Sequence, residues 1–193
     1  MAYRVLFISD ISLSPFTTLT DRMLIRGLRA RGVDITVVTQ RRVPETQELE
    51  EEGVKVEYII FDKKISRSVI TRLRSIIDKE KTELIHVTFG KAMTNAIMAA
   101  RGRKVKIIGY YGSLSLHWHD PSAWLTFLSP RIDRLICASD AVEAHAKKQL
   151  PPWRRNRTER IYRGYNPEWF KDLIPVTRSE IGVRDDEFLI CSV

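Results

Sequence analysis

Arg4-Val-Leu-Phe-Ile-Ser-Asp10, the segment Thr18 to Arg31 and Ile35-Thr-Val-Val-Thr39 together decide the fold. The first run is apolar at consecutive positions, so both faces of a strand there would be buried. The middle segment has the helical period. Leu19, Met23, Leu24 and Leu28 predict one apolar stripe, Thr18 and Asp21 stand at capping-box spacing, and Gly32 is placed to stop the helix. The second apolar run is again strand-like. A buried strand, a helix and another buried strand make a parallel βαβ unit with a right-handed crossover.

The alternation continues along the chain. Val54 to Phe61 predicts a third strand, and the acidic stretch Glu45 to Glu52 before it a solvated loop or short helix. Ser66 to Lys81 carries Val69, Ile70, Leu73, Ile76 and Ile77 on one side and Arg and Lys on the other, an amphipathic helix. Strands are expected at Leu84 to Phe89, Val105 to Tyr111, Leu135 to Ala138 and Arg160 to Arg163. Helices are expected at Lys91 to Ala100 and at Asp140 to Leu150, the latter ended by Pro151-Pro152. The fold class is therefore α/β: a doubly wound, Rossmann-like parallel sheet with helices on both faces. After a polar linker, Phe188-Leu-Ile-Cys-Ser-Val193 resembles the opening strand of another α/β unit, or an edge strand or docking tail of the same domain. The expected organisation is one domain over 1–170, with 171–193 as linker and start of a truncated second domain.

The 193 residues are 44% hydrophobic and 29% charged, which excludes a disordered or low-complexity chain. A domain of this length buries roughly 70% of its unfolded surface and needs no staple. Cys137 and Cys191 each sit in an apolar run and read as small buried hydrophobes of a reducing compartment. No apolar run approaches the roughly 18 residues of a membrane span, and Val5 to Ile8 is too short for a signal peptide. A cytoplasmic protein is expected. The net charge of +8 favours anionic partners such as nucleotides, phosphates or acidic lipids. Nucleic acid is not expected, since the basic residues are scattered with no recognition-helix pattern.

In open α/β sheets ligands bind at the carboxyl ends of the strands. That rule gathers Asp10 to Thr17, Phe89-Gly90-Lys91, Tyr111 to Asp120 and Ser139-Asp140 on one rim. The first loop has no glycine and is neither a dinucleotide fingerprint nor a Walker loop. Its hydroxyls, Ser12, Ser14 and Thr17, either bind a polar ligand or cap the helix. His117 and His119 are two apart beside Asp120, with Trp118 between them as a stacking face. They suit sugar hydroxyls or phosphate, or structural hydrogen bonds, better than a metal, since only His86 and His145 remain to complete a metal site. His86 lies mid-strand and reads as a core histidine. Trp153-Arg-Arg-Asn-Arg157 and the cationic side of the helix at Arg67, Arg72 and Arg74 are solvated surface or contacts for a membrane or another anionic partner.

Several of these segments resemble the N-terminal half of the family-four, GT-B-type glycosyltransferases. Arg4 to Asp10 with Arg31-Gly-Val-Asp-Ile-Thr-Val-Val-Thr39 is similar to the family's opening, and Leu84-Ile-His-Val-Thr-Phe89 to its fourth strand. Arg131-Ile-Asp-Arg-Leu-Ile-Cys-Ala-Ser-Asp-Ala-Val142 is the most specific match, and Arg160-Ile-Tyr-Arg-Gly-Tyr-Asn-Pro-Glu-Trp-Phe170 resembles the passage into a second domain. The resemblance implies two Rossmann-like domains facing a cleft, the N-terminal one holding the acceptor and the C-terminal one most of a nucleotide-sugar donor. It implies retaining sugar transfer without a cofactor or catalytic metal, often to lipid or polysaccharide acceptors at the inner membrane face. Cell-envelope polysaccharide biosynthesis and peripheral contact with an acidic membrane belong to that expectation.

Two departures stand out. Ser14-Pro-Phe-Thr17 occupies the place of a common Gly-Gly, and Tyr111 the place of a common histidine. On this basis Tyr111, His117 and His119 are the expected catalytic residues, and Ser12, Ser14, Thr17, Lys91, Ser113 and Asp120 the expected acceptor-binding ones. A fragment ending at Val193 is expected to be inactive alone. A nucleotide-sugar epimerase of the same architecture and a non-enzymatic basic binding module are the alternatives.

Overall fold

A computed structural model describes residues 3–190. Seven strands, β1 (Arg4–Ile8), β2 (Asp34–Thr39), β3 (Lys55–Tyr58), β4 (Leu84–Val87), β5 (Lys106–Tyr111), β6 (Arg134–Cys137) and β7 (Thr158–Arg160), form one sheet in the order β3-β2-β1-β4-β5-β6-β7. Every pairing is parallel, with Val5 opposite both Ile35 and Leu84. The connections are helical: α1 (Pro15–Ala30), α2 (Pro44–Glu51), α3 (Arg67–Lys79), α4 (Gly90–Ala99), the single turn α5 (Pro121–Trp124) and α6 (Asp140–Gln149). The expected Rossmann-like sheet is what the chain forms.

Two cores lie on opposite faces of the sheet, as side-chain alternation along β1 requires. Val5 and Phe7 pack with Ile25 of α1, Ile35, Val37 and Leu49. Leu6 and Ile8 pack with Leu73, Ile76 and Ile77 of α3, Met93 and Ala96 of α4 and Ala146 of α6. Toward β6 the first face thins out, and Leu84, His86, Ile108, Tyr110 and Ile136 on it are only partly buried.

The edges of several elements differ from the sequence expectation. α1 starts at Pro15, whose fixed φ suits the first helical position, and not at Thr18. Thr18 and Asp21 form no capping box: Thr18 Oγ1 donates back to the Ser14 carbonyl, and Asp21 is engaged elsewhere. The expected stripe is not the buried one either. Thr18, Asp21, Arg22 and Ile25 face inward, while Leu24 is exposed and Leu19, Met23 and Leu28 are partly so. Gly32 does end the helix, at φ +82, with its N–H on the Arg29 carbonyl. The acidic stretch is a helix, and the last strand is centred earlier than Arg160 to Arg163.

The long connection from β5 to β6 holds only α5, whose start is fixed by the Asp120 side chain accepting from Ser122 N at 2.8 Å and Ser122 Oγ at 2.7 Å. The compact body ends at Arg163. Gly164 onward is a separate unit with a 3-10 turn at Pro167–Phe170, where Asn166 accepts from Glu168 N at 3.1 Å. Phe188, Leu189 and Ile190 carry no regular secondary structure, and the rest of that expected strand, with Cys191, lies outside the described residues. Among the described residues no helix is long and apolar enough to cross a membrane.

Cys137 is buried, and desolvation pushes its thiol up to about 11, so it is inert packing at neutral pH. His86 stacks on Phe7 with ring centroids 4.6 Å apart. Burial, helped by the Arg163 charge, lowers it from 6.5 to about 4. The fold therefore holds His86 neutral while the unfolded chain protonates it sooner. Stability rises as pH climbs from about 4 to 6.5 and is lost as pH falls through that window. His86→Phe keeps the stack and should flatten this part of the denaturation profile relative to the parent; an unchanged slope contradicts the assignment.

Gly109 of β5 lies tightly against side chains of α4 and β6. A Cβ there would meet Met93 Cε at 2.8 Å and Leu135 Cδ1 and Phe127 Cδ1 at 3.3 Å. Met93 can swing aside, but the Phe127 ring is held against Tyr111 at 4.9 Å. Gly109→Ala should cost about 1–3 kcal/mol in chemical denaturation, the usual range for overpacking.

Candidate functional site

The strand order places β1 between β2 and β4, and the chain leaves β1 on one side and returns to its other side only after β3. This is the topological switch point of a doubly wound sheet. Beyond the carboxyl ends of β1, β4, β5 and β6 lies an open cavity of about 410 Å³. Ser9, Asp10 and Leu13 line it from the first loop, Thr88 and Phe89 from the end of β4, Tyr110 and Gly112 from β5, and Ala138 from β6. Arg163, the last residue of the compact body, closes the lining.

The polar groups in this cavity are fixed by neighbours. Asp10 Oδ1 accepts from Ser12 Oγ at 2.5 Å and Ser12 N at 3.2 Å, while its Oδ2 accepts from Gln40 Nε2. The Gln40 side-chain Oε1 accepts from the Phe61 N–H at 3.2 Å, which ties the β2 and β3 ends to the first loop. Among the described residues no cation forms an ion pair with Asp10, so its remaining lone pairs are not taken up by a guanidinium or ammonium. The second carboxylate is different. Asp21, reaching in from α1 and nearly fully buried, accepts from Ser9 Oγ at 2.5 Å and from Arg163 Nη2 at 3.0 Å. The Arg163 guanidinium lies over the Tyr110 ring, 4.5 Å from its centroid. This explains the polar inner face of α1: the helix turns a carboxylate, not a leucine, toward the rim.

At the lip, α4 begins at Gly90 after Phe89 with no side-chain cap, so its first N–H groups are unclaimed by any side chain. The cavity thus offers a carboxylate that accepts, a guanidinium that donates, and the rings of Tyr110 and Phe89. That set suits a hydroxyl-rich, largely uncharged ligand.

None of the nine sequence-predicted site residues lines this cavity, although several border it. Ser12 is spent on Asp10. Ser14 and Thr17 are exposed, Ser14 as the residue before α1, and Lys91 is exposed in the first turn of α4. Tyr111 points to the opposite face from Tyr110: its ring is buried against Phe127, and its hydroxyl takes a hydrogen bond from Ser113 at 3.0 Å with Ser115 at 3.1 Å.

His117 and His119 are stacked together, centroids 5.2 Å apart, and His117 meets His145 of α6 edge-on at 5.8 Å. That loop is held on α6 by His145 Nε2 at 2.7 Å from the Leu116 carbonyl and by Trp118 N on Gln149 at 3.0 Å. Asp120 is occupied in capping α5, and its Ser122 hydrogen bonds hold its carboxyl below the usual range. Among the described residues no three His, Cys, Asp or Glu converge as a metal-binding set. In the basic segment after the double proline, Arg154 is not a free cation: it is buried and donates to the Leu128 and Ser129 carbonyls, each at 2.8 Å.

The lining residues that lie outside the rim segments selected from the sequence are Ser9, Thr88, Tyr110, Ala138 and Arg163. For Tyr110 a signal existed. It shares strand parity with Lys106, which marks the less buried side of β5, whereas Tyr111 shares parity with Ile107.

Known structures share this fold. The fold matches a glycosyltransferase from Rickettsia africae at 14% identity and TM-score 0.66, covering 90% of this chain and 47% of that one. It matches Anabaena HepE, solved with UDP and glucose, at 16% identity and TM-score 0.64, covering 93% and 50%. A putative UDP-N-acetylglucosamine 2-epimerase from Listeria monocytogenes matches at 14% identity and TM-score 0.56, covering 82% and 44%. The chain thus spans about half the length of these solved structures. No curated protein sequence matches it. The model of one family, described as Glycosyltransferase Family 4, matches residues 22–169, from the middle of α1 through β2 to β7 and into the 3-10 turn beyond them, and to that family the chain belongs.

Proposed function

We propose that this chain supplies the acceptor half of a glycosyltransferase cleft, with the acceptor's sugar ring seated in the cavity at the switch point. The observation that carries the proposal is the pairing, in one cavity, of an unneutralised carboxylate, Asp10, with the Arg163 guanidinium laid on Tyr110. A carboxylate accepts from neighbouring hydroxyls, an arginine donates to ring and hydroxyl oxygens, and Phe89 adds an apolar wall beside them. A phosphate is disfavoured in this cavity, because Asp10 repels it and Asp21 already takes an edge of Arg163.

The donor would be a nucleotide-sugar held by a second Rossmann-like domain. Catalysis would then rest on orienting the acceptor hydroxyl and on the closed cleft stabilising the leaving diphosphate. The acceptor hydroxyl belongs to a lipid-linked or a free glycan. Retention of anomeric configuration is part of the proposal and rests on the family alone. An epimerase is the second reading, since UDP-N-acetylglucosamine 2-epimerase structures share this fold. It predicts that the full-length protein alters a free nucleotide-sugar with no acceptor present.

Titrating neutral methyl glycosides into the labelled chain should perturb the amides of Ser9, Thr88, Tyr110 and Gly112 with saturation. Asp10→Asn should weaken that binding by about tenfold, the usual order for a hydrogen bond to a charged group. Glycosides that never perturb the rim, or an Asp10→Asn variant that binds them equally well, would overturn the reading.

A further inference from the structure

A second opening lies away from the rim, between α3 and α4, and shares no residue with the cavity described above. Its volume is about 360 Å³. Arg67 and Arg74 of α3 and Arg101 just beyond α4 form its walls, with Thr71 beside them and Ile70 and Met98 as an apolar floor. No carboxylate lines it. The acids of this face are claimed by other arginines: Glu57 by Arg72 at 3.1 Å, and both oxygens of Asp78 by Arg103 at 2.7 and 2.6 Å. Among the described residues Arg67, Arg74 and Arg101 form no ion pair.

The groove is built, not an accident of flexible side chains. Asn95, fully buried in α4, accepts from Ser66 N at 2.9 Å and donates to the Lys63 and Lys64 carbonyls, each at 3.1 Å. The entry to α3 is thereby pinned to the middle of α4, which sets the spacing of the two walls. Arg74 spends one N–H on the Met98 carbonyl at 3.2 Å, while its Nε is buried with no hydrogen-bond partner among the described residues. A buried donor without an acceptor costs free energy that a bound acceptor would relieve.

We propose that this groove binds a phosphate ester. Three guanidinium groups, two from α3 and one from the turn that follows α4, give planar, always-charged donor forks whose geometry suits the several oxygens of a phosphate. A carboxylate, with two oxygens and a single charge, would leave one of the three unused. The apolar floor accommodates the carbon portion next to the ester. Two sources carry this chemistry, a soluble phosphate ester and the headgroup of an acidic phospholipid.

The test uses the whole chain with glycerol 1-phosphate in one arm and phosphatidylglycerol–phosphatidylcholine vesicles in the other, against pure phosphatidylcholine. Saturable perturbation of the Arg67, Arg74 and Arg101 Nε–H signals by glycerol 1-phosphate, or vesicle binding that needs phosphatidylglycerol, is expected, and the tighter arm names the source. The double variant Arg67→Gln/Arg101→Gln, two exposed positions, should lose about tenfold or more in that arm. Arg72→Gln, on the same helix but paired with Glu57, should change binding by less than about twofold, as expected of an exposed ion pair. Absence of binding in both arms overturns the proposal. So does an Arg72→Gln loss equal to that of the double variant, because the effect would then be diffuse surface charge.

Discussion

The arrangement depends on the position of β1. With β2 on one flank and β4 on the other, and with right-handed crossovers on each side, α1 packs on one face of the sheet and α3 on the other. The chain cannot fill the space above the carboxyl ends of β1 and β4, because both connections leave it in opposite directions. A crevice at that point is a consequence of topology. What it recognises is decided by the few side chains at the strand tips.

Those side chains are held by one buried interaction. Asp21 joins α1 to the end of β1 through Ser9 and to the end of the compact body through Arg163. Burying a carboxylate is costly unless its partners are in place, so the three groups fix one another's positions. Arg163 is thereby kept on Tyr110, and its charge in turn helps keep His86 neutral beneath the rim. The same interaction gives α1 a polar inner face, which its hydrophobic period does not anticipate.

This is also where the sequence was legible and where it was not. Apolar runs at β1, β2, β4 and β5 and the amphipathic period of α3 were sufficient for the sheet and its helices, because burial on both faces leaves a pattern in composition alone. The rim followed from the fold rule, and Asp10 fell inside the loop it selected. The side chains within the rim did not follow. Tyr110 and Tyr111 are identical in kind, and only strand parity separates a cavity wall from a core residue. The His117–His119 pair has the spacing of a site, but its loop is drawn onto α6 by Leu116 and Gln149, contacts with no local sequence signature. The Leu19 to Leu28 stripe failed for the opposite reason: a period of apolar residues says that a face exists, not that it is the face turned inward.

The net charge of +8 is distributed in a way that bears on function. Around the switch-point cavity the charges are two carboxylates and one guanidinium, so the excess of cations is not spent there. In the basic turn after α6, Arg154 is consumed in holding carbonyls of the connection between α5 and β6. Arg67, Arg74 and Arg101 remain as a cluster that forms no ion pair among the described residues, on walls whose separation Asn95 sets. Long-range attraction for anions and short-range recognition of hydroxyls are thus assigned to different parts of the surface. If the cavity takes a sugar ring as proposed, this separation keeps the cation cluster, and any phosphate it attracts, away from the place where the ring would sit.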